Sequence, residues 1–202
     1  MFVLAVICYW PALRGEFVWD DENLVADNPY IRSPLFAGEM FRHWLQPGIN
    51  SPYYRPVQTA SMAVDYWFWN LNTLGYHLTN VVIHAAAAWL LFLLARQLLG
   101  RVGIQQAELI SLGVAGCWLV HPIHNAAVAY ISGRADPLGF LFGCAAWLLF
   151  LAASTWKRHR TLGYLASSCL MLVALCSKEI AAVWLVLFAA YTLFSPDSSL
   201  GQ

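Results

Sequence analysis

Charge is scarce in this sequence. Asp, Glu, Lys and Arg make up 11% of 202 residues while 60% are hydrophobic, against about a quarter charged and about half apolar in a soluble domain. Acids and bases number 11 each. The bases are scattered, so no basic stripe can track a phosphate backbone and nucleic acid is excluded as a partner. The five cysteines (Cys8, Cys117, Cys144, Cys169, Cys176) all fall in apolar runs and none has CxxC spacing, which leaves neither a disulfide framework nor a zinc site. No basic cluster precedes Phe2 and no Ala-x-Ala-like site follows it, so residues 1–15 read as a retained first helix, not a removable signal. The class that remains is a multi-pass integral membrane protein.

Long apolar runs are what the chain has in quantity. They cover residues 76–99, 109–120, 137–153, 162–176 and 180–194. With the first helix they make about six transmembrane helices, although a span needs about 20 residues and the shorter runs must borrow flanking residues. Residues 16–75 contain Pro29, Pro34, Pro47, Pro52 and Pro56 and cannot lie in hydrocarbon, where an irregular backbone would be unsatisfied. Their second half sets Val57, Ala60, Val64, Trp67 and Leu71 at spacings of three and four, an interfacial amphipathic helix whose Asp65 is expected to face water. The expected fold is therefore all-α: a polytopic helical bundle with a first helix (1–15), a long non-cytoplasmic loop (16–75), a bundle (76–194) and a tail (195–202). An N-terminus in the cytoplasm sends Arg96, Arg101, Lys157, Arg158 and Arg160 to short cytoplasmic loops, as the positive-inside rule prefers. It also collects Asp20, Asp21, Arg55, His121, His124, Arg134, Asp136, Lys178 and Glu179 on the other face.

Ionisable groups beside apolar spans are costly and mark cavities or pathways. In Phe17-Val18-Trp19-Asp20-Asp21 the indole can desolvate a carboxylate and raise its pKa toward that of a general base. In Tyr53-Tyr54-Arg55-Pro56 a guanidinium beside proline and aromatics suits bidentate grip of a phosphate, or an interfacial anchor. Arg134, in Ser132-Gly133-Arg134-Ala135-Asp136, either pairs locally with Asp136 or holds an anionic leaving group. Lys178, in Ser177-Lys178-Glu179, has no capping role and is a second phosphate cation. His121-Pro122-Ile123-His124 has no carboxylate or thiolate close by in sequence, so hydrogen bonding is expected there and no metal. His77 and His84 read as helix-interface histidines, with haem ligation the alternative.

The ordered set Phe17-Val18-Trp19-Asp20-Asp21, Tyr54-Arg55-Pro56, Tyr76-His77-Leu78-Thr79-Asn80 with His84, His121-Pro122-Ile123-His124, Ser132-Gly133-Arg134-Ala135-Asp136 and Ser177-Lys178-Glu179 resembles the membrane half of the TMTC-type (transmembrane and tetratricopeptide-repeat) proteins and their bacterial relatives. These are GT-C glycosyltransferases similar to the protein O-mannosyltransferases. The resemblance implies inverting transfer of a sugar, mannose foremost, from a polyprenyl or dolichyl phosphate to a Ser or Thr hydroxyl of an acceptor protein. It implies a bacterial inner membrane or endoplasmic reticulum setting. It matches the family's acidic pair to Asp20 and Asp21, and its HPxH, GRxD and SKE elements to His121, His124, Arg134, Asp136, Lys178 and Glu179. Family members carry further helices and a repeat domain, so the chain reads as an N-terminal portion. One departure is Asn125-Ala126-Ala127-Val128, where the family usually has Thr-Glu-Ala-Val.

Sugar transfer from a lipid phosphate needs a base on the acceptor hydroxyl and cations on the departing phosphate. The expected roles are Asp20 or Asp21 as base, and Arg55, Arg134 and Lys178 on the donor phosphate. Tyr54, His77, His121, His124, Asp136 and Glu179 are expected in the substrate pocket. No cofactor is expected, and three cations make a divalent metal unnecessary. The alternative is a non-catalytic membrane protein that binds the lipid phosphate, or a scaffold.

Overall fold

In the computed structural model, residues 1–43, 45 and 53–194 are described. Pro47, Pro52 and the expected tail 195–202 lie outside the described residues. All regular structure among the described residues is helical. Helix α1 (Phe2–Tyr9) tightens into a 3-10 turn, Trp10–Arg14. The loop that follows is a chain of short turns started by their own caps: Asn28 and Ser33 accept backbone N–H bonds from Tyr30 and Leu35, and Pro29 and Pro34 sit at the first turn positions, where a missing N–H costs nothing. Pro56 opens α2 (Pro56–Trp69) in the same way. Asn70, at φ 51°, ends it, and the Asn72 side chain caps α3 (Thr73–Arg101). Gly103, at φ 77°, lets the chain reverse after α3, since only glycine adopts that backbone freely.

The remaining helices are α4 (Ala107–Val120), α5 (Asn125–Ala129), α6 (Ala135–Ala153), α7 (Arg160–Ser177) and α8 (Ala182–Phe194). One core, with Leu94, Cys144, Trp147, Leu151, Met171 and Trp184, fills the space among α3, α6, α7 and α8. Another packs Ala5 and Tyr9 of α1 on Val81, Ala85 and Ala88 of α3 and Leu119 of α4. Three stretches, Thr73–Arg101, Ile131–Ala153 and Arg160–Ser177, are long and apolar enough to cross a membrane; Phe2–Arg14, Ala107–Val120 and Glu179–Phe194 are shorter apolar helices. About six spans were expected from the sequence, and three reach full length.

Helix α2 is turned inside out relative to a soluble helix. It buries Gln58, Thr59, Met62 and Asp65 and exposes Val64, Trp67 and Phe68. Asp65 therefore does not face water as its position in the sequence suggested. The bundle interior offers it a counter-ion, and the medium outside accepts the aromatic side chains, as an apolar or interfacial surrounding does. The two ends of the bundle differ. Arg101 donates to the Leu151 carbonyl and the Tyr191 hydroxyl at one end, while the acidic pair and the cations Arg55 and Lys178 lie at the other.

Candidate active site

Asp20 and Asp21 share a sequence motif but not an environment. Asp21 is fully buried. Its Oδ1 accepts from the Ser132 backbone N–H at 2.8 Å and the Ser132 hydroxyl at 2.5 Å, and its Oδ2 from the Val18 N–H at 3.2 Å. Burial raises the Asp21 carboxyl above its usual 3.8, outweighing those hydrogen bonds, which favour the ionised form. Asp20 is exposed, and its N–H donates to the Tyr130 hydroxyl at 3.1 Å. Burial, then the charges of Asp21 and Asp20, raises the Tyr130 phenol. Trp19, between loop and pair, lies at φ 52° with its ring edge-on to Tyr130 at 5.9 Å. A bulky residue in the left-handed region is strained, and such strain gathers at functional sites.

Ser132 links the acidic pair to the rest of the site. Its carbonyl accepts from Gln58 Nε2 at 2.8 Å, which ties Asp21 to α2, and the same helix begins at Arg55. The Arg55 guanidinium meets both Glu179 oxygens, Nε at 2.9 Å and Nη2 at 2.5 Å, and lies over the Tyr53 ring at 4.6 Å. The hydrogen bond from Arg55 holds the Glu179 carboxyl below its usual 4.5. Lys178 Nζ lies 2.6 Å from each Asp136 oxygen. The Tyr54 hydroxyl donates to the Phe41 carbonyl at 2.8 Å.

Arg134, expected on the donor phosphate, is instead sealed in the interior at 0% exposure. Its Nη1 pairs with Asp65 Oδ2 at 2.6 Å and its Nη2 donates to the Tyr76 carbonyl at 3.2 Å, while Thr79 donates to the other Asp65 oxygen at 2.7 Å. Burial raises the Asp65 carboxyl above its usual value, against the opposing pull of Arg134. Local pairing of Arg134 with Asp136 does not occur, because Asp136 is taken by Lys178. His77 is buried against Gly15, where a Cβ would come within 2.8 Å of His77 Nε2.

The two HPxH histidines differ as well. His121 is exposed and accepts the Ile123 N–H at its Nδ1, capping a 3-10 turn. His124 packs its ring on Trp118 at 4.3 Å and beside His84 at 5.3 Å. Burial, then His121, lowers the His124 pKa. Among the described residues no group of three or more His, Cys, Asp or Glu could hold a metal ion.

His84, His124 and Asp136 form the polar part of a cleft of about 490 Å³, within the range of about 300–1,000 Å³ for small-ligand sites. The rest of its wall is apolar, with Trp118, Phe140, Trp184, Ile180 and Leu187 prominent. Asp20, Asp21, Arg55 and Lys178 are not in this lining; Lys178 reaches it through Asp136. The cleft runs from Ile180, just before α8, to Leu187 within it. The sequence reading missed these aromatic walls, and also Ser132 as the clamp on Asp21. The available signal was Gly143, where a Cβ would overlap the Trp184 indole.

Fold and site define a helical membrane protein in which the Lys178–Asp136 and Arg55–Glu179 pairs border an apolar cleft. The chain is TMTC-like. It is 34% identical over 203 residues to the Drosophila melanogaster protein O-mannosyl-transferase Tmtc1, covering 96% of this chain and 22% of that protein. It is 32% identical to the Caenorhabditis elegans protein O-mannosyl-transferase F38B6.6, covering 72% and 21%. It is 29% identical to mouse protein O-mannosyl-transferase TMTC1, covering 95% and 21%. The chain thus spans about a fifth of the length of the curated relatives it matches. No family model and no solved structure matches it.

Proposed function

We propose that the chain carries the donor site and the base of a membrane glycosyltransferase, which moves a sugar, mannose by the names of the relatives, from a polyprenyl or dolichyl phosphate to a Ser or Thr hydroxyl of a protein. One observation carries the reading. Asp20 stands beside Asp21, which Ser132 and Gln58 tie to the helix that begins at Arg55, and Asp136 joins Lys178 to the apolar cleft. Transfer needs those three elements: a base, a phosphate hold and a lipid groove.

Asp20 takes the proton of the acceptor hydroxyl as its oxygen bonds to the anomeric carbon. The bond from that carbon to the phosphate oxygen breaks, and the electron pair leaves with the polyprenyl phosphate. Attack from the face opposite the phosphate inverts the anomeric centre. Arg55 and Lys178 stabilise the leaving phosphate, which needs no acid because it departs as a stable anion. Asp21, bound at both oxygens, holds the segment that presents Asp20. Arg134 acts from the interior, fixing the turn that carries Ser132. The prenyl chain lies along Trp184 and Leu187.

A positioned base contributes about 10²–10⁴ in rate, so Asp20→Asn should lower transfer from a mannosyl polyprenyl phosphate to a Ser/Thr peptide by that factor. Undiminished transfer in Asp20→Asn rejects the base assignment. A second reading, lipid-phosphate binding without turnover, is favoured by Ala126, which lines the cleft where the family usually has an acid. Donor binding with no transfer by the wild-type chain would decide for it.

A further inference from the structure

Both cations at the mouth are already engaged, and the manner of engagement is asymmetric. Arg55 keeps 13% of its side chain exposed and its partner Glu179 56%; Lys178 keeps 23% and its partner Asp136 45%. In each pair the cation is set into the wall and the carboxylate lies on the solvent side. The fork of Arg55 meets Glu179 through two parallel bonds, the same geometry it would offer to two phosphate oxygens. Tyr53 holds the guanidinium from another side, so the fork keeps a support when the carboxylate leaves. Asp136 is itself part of the cleft wall, and Ile180 and Ala181, next after Glu179, line the cleft too.

We propose that Glu179 and Asp136 are displaceable internal ligands of Arg55 and Lys178, exchanged for the phosphate of a prenyl-phosphate lipid when its chain enters the cleft. The inference rests on the donor reading above and adds to it a competition. Each carboxylate is already half-solvated in its pair, so on release it completes its hydration in place. The exchange trades one charge-assisted hydrogen-bond set for another, so the cations never stand unpaired beside hydrocarbon, where an uncompensated charge is costly. It also favours lipids that carry a phosphate over neutral prenyl alcohols, which cannot replace the carboxylates.

A positioning role for the two acids predicts the opposite sign, which makes the test sharp. Farnesyl phosphate, farnesol and inorganic phosphate are titrated calorimetrically into the full chain in detergent. Glu179→Gln and Asp136→Asn should each tighten farnesyl phosphate by up to about fivefold, the worth of one exposed pair, and leave farnesol unchanged. Arg55→Gln and Lys178→Gln should weaken it. Unchanged or weaker farnesyl phosphate binding in both acid variants overturns the exchange while the donor reading stands. An equal gain for farnesol overturns it as well, and inorganic phosphate binding as tightly as farnesyl phosphate would reassign the site to a free anion. If the wild type binds no farnesyl phosphate and Arg55→Gln makes no difference, the donor reading fails and takes the exchange with it. Should Asp136→Asn not fold, Glu179→Gln, at an exposed position, carries the test alone.

Discussion

Removal of Asp65 should damage this fold severely. Asp65→Ala leaves the Arg134 guanidinium at 0% exposure without its counter-ion. What remains is the Tyr76 carbonyl at 3.2 Å, the Ser61 hydroxyl at 3.5 Å and the Tyr76 ring, whose centroid is 5.6 Å from the guanidinium carbon; none of them carries a full opposite charge. Breaking a buried pair from one side costs about 3–5 kcal/mol, whereas replacing both partners by apolar residues of similar volume is often neutral. The loss of the Thr79 hydrogen bond adds about 1 kcal/mol. Asp65→Ala is therefore expected to lose about 4–6 kcal/mol, and Asp65→Leu with Arg134→Met to recover most of it. Unfolding in mixed micelles of rising SDS content, followed by tryptophan fluorescence, measures both. A single variant within about 1 kcal/mol of wild type, well below the buried-pair cost, or a double variant no better than the single one, would refute the account of Arg134 as an interior charge that needs Asp65.

Three further outcomes follow from the geometry. The Asp21 carboxyl is raised in the folded state, so its favourable contribution is complete below the ordinary value of 3.8 and is lost as pH rises through the raised value; Asp21→Asn should flatten the stability–pH curve over that window, and an unaltered curve would count against the burial argument. Gly143→Ala pushes a Cβ into the Trp184 indole and should cost about 1–3 kcal/mol, with weaker prenyl-lipid binding because Trp184 lines the cleft; equal Kd and stability would show that the indole has room to move. Asn70, exposed at φ 51° and ψ −120°, should gain about 1 kcal/mol on change to Gly and lose stability on change to Ala, read by thermal melting in detergent.

Much of the helical architecture was legible because hydrophobic runs and proline report local preferences. The spacing of Val57, Ala60, Val64 and Trp67 announced α2, and the apolar runs became α3, α4, α6, α7 and α8. The number of full-length spans was not legible in the same way, since runs such as Ala107–Val120 are too short to read on length alone. Within the site, the sequence identified charged residues near span ends as a set and suggested one pairing, Arg134 with Asp136, which does not form. Arg134 lies two residues from Asp136 in the chain, yet it pairs with Asp65, 69 positions earlier, while Asp136 pairs with Lys178.

By composition and periodicity alone, the sequence determined a helical membrane protein and marked which polar residues hydrocarbon would not tolerate unassisted. Only the packing of α2 on α3 and α7, and of α7 on α6, decided which charges went inside and which stayed at the surface. The two tasks differ physically: helix formation is set by neighbours within a few residues, whereas the partner of a buried charge is whichever opposite charge the tertiary contacts deliver. That is why two aspartates adjacent in sequence, Asp20 and Asp21, end as one solvated carboxylate and one buried clamp.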